Sequence, residues 1–280
     1  MSSRKKNDDG MQLSAAAPEA PSVNADREVR SVRKALYGGT GYDSTDEAPR
    51  IPAATVSTMP KSRKLADEFP DLPDNVEVGP SSDAKRLLDV AVSGLLISSL
   101  WPVFALAAAL IKLESPGPVL IKQDRIGLNG RGFRFLKFRT MHHDRKGSDI
   151  AERLPTGDLT KRLLSPRGRP QHATAIGWTL RKTTVDELPQ LLNVLKGDMS
   201  LVGPRPDMPE IVAAWPEKFR QRHKVKPGMT GLAQVNGRSD LTHYEKVRYD
   251  LQYVQRHPLS LDLSILMKTV KLVVSKEGAR

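Results

Sequence analysis

The chain has 280 residues, a formal net charge of +12 and no cysteine. The lack of cysteine excludes a disulfide framework, thiolate chemistry and a cysteine-ligated zinc site. So strong a positive charge predicts a partner that carries phosphate, which is a nucleic acid, an anionic membrane or a phosphorylated substrate. We expect no secretory signal, because the first long apolar run begins only after about 80 mostly polar residues.

The first part of the chain, 1–80, is rich in Ala, Ser, Pro, Asp and Lys and shows no sustained apolar period. Stretches such as "DDGMQLSAAAPEAPSVNAD" and "FPDLPDNVEVGPSSD" bury too little apolar surface to offset the entropy that is lost on ordering. The sequence therefore predicts a disordered polar tail over 1–80 and one folded domain over 81–280.

An uncharged apolar segment, 90–111, lies near the start of this domain and is 22 residues long. That length is enough for a helix to cross a bilayer. Pro102 lies near its middle, where a proline kinks or breaks a helix, and each arm then spans about 15–18 Å, close to one leaflet. Ser98 and Ser99, one turn earlier, offer partners for the backbone groups that a break sets free.

Basic residues flank this segment on both sides. Lys85 and Arg86 precede it, and seven lysines and arginines follow between 112 and 139. The positive-inside bias therefore favours both ends in the cytoplasm. Together with Pro102, this pattern predicts a re-entrant helix–break–helix over about 86–113. A spanning helix and a buried core helix remain alternatives.

The stretches "PVLIKQDRIG" and "GFRFLKFRTM" alternate like strands, and "LNGRG" between them predicts a β-hairpin that turns at Asn129. Lys137 and Arg139 flank a phenylalanine in the second strand, so both are expected on one side of it. They form either a solvated basic face or a contact to a phosphate or lipid headgroup. Further on, "YEKVRYDLQYVQRH" and "LDLSILMKTVKLVV" predict amphipathic helices, the second of which is suited to a membrane surface.

Two adjacent carboxylates, Asp186 and Glu187, open the stretch "DELPQLLNVLKGDMSLVGPRP". One interpretation is helix capping, because Thr184 and Glu187 fit a capping box and Pro189 suits the first turn of a helix. The other is chemistry on a phosphate, because the positive end of a helix dipole lowers a carboxylate pKa and keeps the group ionised. An ionised Asp186 can be a nucleophile, and Glu187 can hold a hard cation.

Arg205 stands between two prolines in the "GPRP" turn that follows this helix. The prolines fix the backbone on either side, so the guanidinium is held in advance. A rigidly held fork of donors suits a phosphate group. The sequence therefore provides a candidate phosphate-binding arginine shortly after the acid pair.

Several long motifs in this chain resemble, in the same order, those of the bacterial sugar transferases, which are monotopic polyprenyl-phosphate phosphoglycosyl transferases. The resemblance runs from about residue 85 to the C-terminus, and several long motifs in one order make it specific. The motifs are "KRLLDV", "SPGPVLIKQDRIGLNGRGFRFLKFRTM", "RKTTVDELPQLLNVLKGDMSLVGPRP", "VKPGMTGLAQVNGR" and "YDLQYV".

The resemblance implies an enzyme that moves a phosphosugar from a UDP-sugar to polyprenyl (undecaprenyl) phosphate and releases UMP. This is a first membrane step of exopolysaccharide or other glycoconjugate assembly. By the match, Asp186 is the nucleophile and forms a covalent aspartyl-phosphosugar, Glu187 binds Mg²⁺, and Arg181 and Arg205 contact phosphate.

We also expect substrate contacts from Lys137 and Arg139 of the hairpin, and from Gln234 and Asn236 of "VKPGMTGLAQVNGR". The family anchor is a re-entrant helix broken at a proline, which Pro102 matches, although a tryptophan precedes it where the best-known small members have serine.

The expected fold is mostly α with a small β-hairpin, as a monotopic membrane protein with amphipathic surface helices. The expected location is the cytoplasmic face of the inner membrane. The expected partners are membrane lipids, downstream glycosyltransferases and a second copy of the chain, but not nucleic acid. Two rival hypotheses are a metal-dependent phosphohydrolase that uses the same acid pair and a membrane-anchored basic scaffold without enzymatic activity.

Overall fold

The computed structural model describes residues 69–80, 82–142, 169–170, 172–213, 215–237 and 240–275. Most regular structure in these ranges is helical, as predicted. The helices are α1 (Asp83–Glu114), α2 (Ala175–Lys182), α3 (Gln190–Lys196), α4 (Pro209–Ala213), α5 (Glu217–Arg220), α6 (Leu232–Val235), α7 (His243–Gln255) and α8 (Leu259–Ser275). The strands are β1 (Leu120–Ile126), β2 (Gly132–Phe138), β3 (Ser200–Val202) and β4 (Gly228–Thr230). Short 3-10 turns cover Leu128–Gly130, Val185–Glu187 and Gln221–Lys224.

The predicted β-hairpin is confirmed. Strands β1 and β2 pair antiparallel, with Asp124 opposite Arg134. Asn129 in the connecting turn has a φ of 53°, a left-handed conformation that asparagine tolerates better than most residues. The Asn-Gly signal in the sequence therefore identified the turn correctly.

Helix α1 is one helix of 32 residues that contains Pro102. The expected division into two helices at this proline is therefore not seen. Pro102 has no N–H, so the carbonyl of Ser98 loses its helical donor. The Ser98 hydroxyl donates to the Gly94 carbonyl at 2.9 Å and does not replace that donor. Among the described residues, α1 is the one helix long and apolar enough to cross a membrane, with a mean hydropathy of 2.1.

The N-terminal end of α1 is bonded to the domain by charged side chains. Arg86 donates to the carbonyls of Val194 and Leu195 at 2.7 and 2.8 Å, which caps the C-terminal end of α3. One turn on, the Asp89 carboxylate accepts the backbone N–H of Leu201 at 2.9 Å. These contacts fix the start of α1 against α3 and β3.

The C-terminal end of α1 is bonded to the same domain. The Glu114 carboxylate accepts the backbone N–H groups of Ala175 and Ile176, the first residues of α2, at 2.7 and 3.1 Å. Arg139 is only 2% exposed and donates to the carbonyls of Ser115 and Pro116, both at 2.6 Å. Both ends of α1 therefore cap or contact helices of the one folded domain.

A second sheet, which is parallel, supports the "GPRP" turn. Strand β3 pairs with β4 in the register Ser200 to Gly228 and Val202 to Thr230. The two chains come so close that a Cβ on Gly203 would lie 2.4 Å from the Lys226 carbonyl oxygen. Glycine at 203 is therefore required for the close approach, and the turn leaves the sheet directly after it.

The segment 69–80, which was assigned to the disordered tail, is packed onto the domain. Phe69, Leu72 and Val76 are each under 5% exposed and belong to the apolar cluster around Trp215. The Phe69 ring stacks on Tyr244 with centroids 5.4 Å apart. The predicted domain boundary at 80 thus lies too far along the chain, because these three apolar side chains pack against residues that are distant in sequence. The remainder of the predicted tail lies outside the described residues.

We expect removal of residues 1–66 to leave the thermal unfolding midpoint unchanged, and removal of 1–80 to lower it clearly. Phe69→Ala alone should cost about 3–5 kcal/mol, because it empties a buried aromatic site. The measurement is intrinsic tryptophan fluorescence during heating in detergent. Equal midpoints for the two truncated chains would show that the packed segment contributes nothing to stability.

Candidate active site

The acid pair lies in a strained turn between α2 and α3. Thr184 has a φ of 61°, which is left-handed and unusual for a β-branched residue. The 3-10 turn Val185–Glu187 follows, and α3 begins at Gln190. Thr184 makes no side-chain cap, so the predicted capping box with Glu187 is wrong. The acid pair therefore lies in the 3-10 turn just before α3, and not in the first turn of the helix.

Glu187 is bound by Arg205, which comes from the "GPRP" turn. The guanidinium donates to both carboxylate oxygens, and Nη1 lies 3.0 Å from Oε2. Both side chains are partly exposed, at 38% for Arg205 and 22% for Glu187. A two-pronged arginine–carboxylate pair fixes orientation as well as charge. The turn before α3 and the turn after β3 thus meet at this pair.

The pKa of Asp186 is raised to about 6, first by burial and then by the neighbouring charge of Glu187. Lys137, Arg181 and Arg205 act in the opposite direction but do not outweigh these causes. The expectation that the helix terminus lowers this pKa is therefore wrong. A carboxylate with a pKa of about 6 is still mostly ionised at neutral pH.

The pKa values of Glu187 and Arg205 are shifted in opposite directions, and each shift favours the charged form. Burial alone would raise the pKa of Glu187, but the charge and hydrogen bonds of Arg205 outweigh it and lower that pKa. Glu187 in turn raises the pKa of Arg205. Glu187 is therefore a permanent anion that is already paired, whereas Asp186 is the buried, less stabilised member of the pair.

Lys137 and Arg181 lie close enough to the acid pair for their positive charges to lower the pKa of Asp186, and their role as substrate contacts stays a prediction. Nη1 of Arg181 is buried and has no hydrogen-bond partner among the described residues. A buried donor of this kind is costly unless something accepts from it. The positive charges of Lys137, Arg181 and Arg205 therefore lie around the acid pair, where they would stabilise a bound anion.

Three other predicted contact residues have hydrogen-bond partners elsewhere in the domain. Arg139 lies just after the end of β2 and is used by the end of α1, so its assignment as a substrate contact is corrected. Gln234 donates to the Met229 carbonyl at 2.9 Å, and Asn236 donates to the Leu232 carbonyl at 2.8 Å. Both amides bond within their own segment, and their role in substrate binding stays a prediction.

Two buried amides on α3 escaped the sequence reasoning. Gln190 is fully buried beside Glu187. Asn193 donates to the Arg134 carbonyl at 2.7 Å and accepts the Leu136 N–H at 3.0 Å, so it bonds to β2 as an additional strand would. This bond holds the strand that carries Lys137 against α3. Their spacing of three residues on one helix face was the available signal.

The donor set limits how a metal ion can bind. No group of three or more His, Cys, Asp or Glu side chains that could hold a metal occurs among the described residues. Asp186 and Glu187 are two carboxylates, and Mg²⁺ is often bound by one or two carboxylates with substrate phosphates and water. The residues therefore fit a cation shared with a phosphorylated substrate, and do not fit a closed protein cage.

Comparisons with known proteins identify the family of the chain. Residues 81–276 match the family described as bacterial sugar transferase, so the chain belongs to that family. It is 41% identical over 203 residues to the UDP-glucose:undecaprenyl-phosphate glucose-1-phosphate transferase of Caulobacter vibrioides, covering 70% of this chain and 71% of the relative. The resemblance read from the motifs is confirmed, and with it an enzyme of the phosphoglycosyl transferase type.

Two further relatives cover most of their own length. The uncharacterized sugar transferase EpsL of Bacillus subtilis is 41% identical over 69% of this chain and 89% of its own. The exopolysaccharide production protein ExoY of Rhizobium meliloti is 37% identical over 70% of this chain and 88% of its own.

We expect Thr184→Gly to be tolerated with a change in stability of under about 1 kcal/mol. Release of the left-handed strain gains about 1–2 kcal/mol, and the added backbone freedom of glycine costs about 0.5–1 kcal/mol. Thr183→Gly is the control, because Thr183 has an ordinary φ of −92° and its hydroxyl donates to Thr179. It should cost about 1 kcal/mol or more by denaturant unfolding. Equal losses in the two variants would contradict the assignment of strain.

Proposed function

We propose that the protein transfers a phosphosugar from a UDP-sugar to polyprenyl phosphate and releases UMP, as a first membrane step of exopolysaccharide or related glycan assembly. The observation that carries this proposal is the unequal acid pair. Glu187 is held by Arg205 at both oxygens. Asp186 is buried with a pKa raised to about 6. An anion that is poorly stabilised and still ionised is a suitable nucleophile.

In the first step, a carboxylate oxygen of Asp186 attacks the phosphorus that bears the sugar. The bond from this phosphorus to the bridging oxygen breaks, and UMP leaves with that oxygen. In the second step, an oxygen of polyprenyl phosphate attacks the same phosphorus. The aspartyl–phosphorus bond breaks and returns the Asp186 carboxylate, and the product is a polyprenyl-diphosphate sugar.

Both steps bring one anion against another, so positive charge must surround the reacting phosphorus. Lys137, Arg181 and Arg205 supply it. Nη1 of Arg181 has no hydrogen-bond partner among the described residues and can donate to a phosphate oxygen. We propose Glu187 as the protein ligand of Mg²⁺, since a carboxylate has lone pairs beyond those used by Arg205. When bound, such an ion neutralises charge on the diphosphate.

The anchor is proposed to be re-entrant, on the cytoplasmic face of the inner membrane. Both ends of α1 bond to the same domain, whereas a spanning helix would carry one end to the other side. The middle of α1 is apolar and exposed, with Trp101 at 65%. Helix α8 adds a second exposed apolar face, formed by Leu263, Met267, Val270, Val273 and Val274. These surfaces suit a lipid boundary on one side of the domain.

We expect Asp186→Asn to fold normally and to lose turnover by at least about 10³-fold, because asparagine keeps the shape of aspartate but is a poor nucleophile. Without polyprenyl phosphate, the wild type should release at most one equivalent of UMP from its UDP-sugar. The peptide containing Asp186 should then gain the mass of a phosphosugar. A panel of UDP-sugars identifies the donor in the same assay.

The thermal midpoint of Asp186→Asn serves as the folding control. Glu187→Gln, which keeps the shape of the side chain, should also fold and should require more Mg²⁺ for half-maximal rate. Near-normal turnover of folded Asp186→Asn would show that Asp186 is not the nucleophile. Continued UMP release beyond one equivalent without acceptor would instead indicate a phosphohydrolase.

The path of α1 is tested with single cysteines at its two ends, since the native chain has none. Asp83→Cys and Lys112→Cys lie at exposed positions. We expect both to react with a membrane-impermeant maleimide in inverted vesicles and neither to react in intact spheroplasts. Reaction of one cysteine from each side of the membrane would show a spanning helix.

A further inference from the structure

The turn that carries Arg205 is held through its carbonyl groups. Prolines at 204 and 206 have no N–H, so the turn has few donors of its own. Three of its carbonyls accept from distant parts of the chain: Pro204 from the Gly228 N–H at 3.0 Å, Arg205 from Arg222 at 2.6 Å, and Asp207 from the Ile126 N–H at 3.0 Å. The backbone of Arg205 is therefore set by partners outside the turn.

Arg222 is the charged partner among these. Its side chain is fully buried, and its guanidinium bonds in three directions. Nη1 donates to Asp207, and Nη2 lies 2.6 Å from the Arg205 carbonyl oxygen and 2.7 Å from a carboxylate oxygen of Asp250. The Arg222 guanidinium thus links the backbone of Arg205 to the Asp207 carboxylate and, through Asp250, to helix α7.

The buried group around Arg222 is balanced in charge. Lys246 donates to Asp207 at 2.7 Å, so two cations face the two carboxylates of Asp207 and Asp250. Both cations also lie over the ring of Trp215, at 5.1 and 5.5 Å from its centroid. Burial would raise the pKa of Asp207, but Lys246 and Arg222 lower it strongly. The group is therefore rigid, since each charge depends on the others for its compensation.

We propose that Arg222 is a positioning residue for the transfer reaction, and that it acts by fixing the backbone of Arg205 so that the Arg205 guanidinium meets Glu187. The chain of contacts is continuous: Arg222 to the Arg205 carbonyl, and the Arg205 side chain to both oxygens of Glu187. Arg222 itself is buried and does not face the acid pair. The proposal rests on the proposed function for its kinetic readout.

Lysine at 222 keeps the charge but has one nitrogen in place of the planar fork, so it cannot reproduce the geometry in which separate nitrogens face Asp207 and the Arg205 carbonyl. The test is a double-mutant cycle of Arg222→Lys with Arg205→Ala, measured as kcat/KM for UMP release. With Arg205 present, we expect Arg222→Lys to lower the rate about 10- to 100-fold, since small displacements in a site are costly. With alanine at 205, the same change should alter the rate less than about twofold.

The matched control is Arg139→Lys. Arg139 is also a buried arginine that donates to backbone carbonyls, but it serves the end of α1. Its effect on rate should be the same with arginine or alanine at 205. If Arg222→Lys also has the same effect in both backgrounds, Arg222 is only structural and the proposal is wrong. If Arg222→Lys does not fold, the cycle is made with Asp207→Asn, which loosens Arg222 at the same turn.

A second measurement separates this proposal from the proposed function. Hydrogen exchange of the peptide that contains Arg205 should be faster in Arg222→Lys than in the wild type, and unchanged in Arg139→Lys. If the wild type releases no UMP from any UDP-sugar, the proposed function fails, and exchange alone decides the positioning role. Equal exchange of this peptide in the wild type and in Arg222→Lys overturns the proposal.

Discussion

The ion pair between Arg205 and Glu187 is the interaction on which the rest of the site depends. The two residues are 18 positions apart and come from turns on opposite sides of α3 and β3. Because Glu187 is neutralised by a fixed guanidinium, the adjacent Asp186 can remain an anion despite its burial. Without that pair, two unshielded carboxylates side by side would repel each other, and one would take up a proton.

Two sets of contacts hold the Arg205–Glu187 pair in place. On one side, the left-handed residue Thr184 turns the chain so that the acids precede α3, and Asn193 holds α3 against β2. On the other side, the parallel sheet and the buried charges around Arg222 hold the turn of Arg205. The site is therefore supported on both sides, and the charges of Lys137 and Arg181 lie close enough to lower the pKa of Asp186.

Local patterns in the sequence predicted the hairpin, the helix after the acid pair and the fixed turn of Arg205. They were wrong where distant contacts decide. Alternation put Arg139 beside Lys137, but β2 ends at Phe138 and Arg139 bonds to α1 instead. Composition put Phe69 in a disordered tail, although Tyr244 far along the chain stacks on it. The partners of Arg222 lie at 205, 207 and 250, so no short sequence window could show that it is buried.

The two caps made by α1 have a mechanical consequence. Arg86 bonds to the last carbonyls of α3, and Glu114 bonds to the first N–H groups of α2. These helices lie on either side of Asp186 and Glu187, so α1 contacts the elements before and after the acid pair. A tilt or vertical shift of the apolar helix must then move the carboxylates with it. With α1 embedded in lipid as proposed, the depth of this helix would set the height of the proposed nucleophile Asp186 relative to the lipid layer.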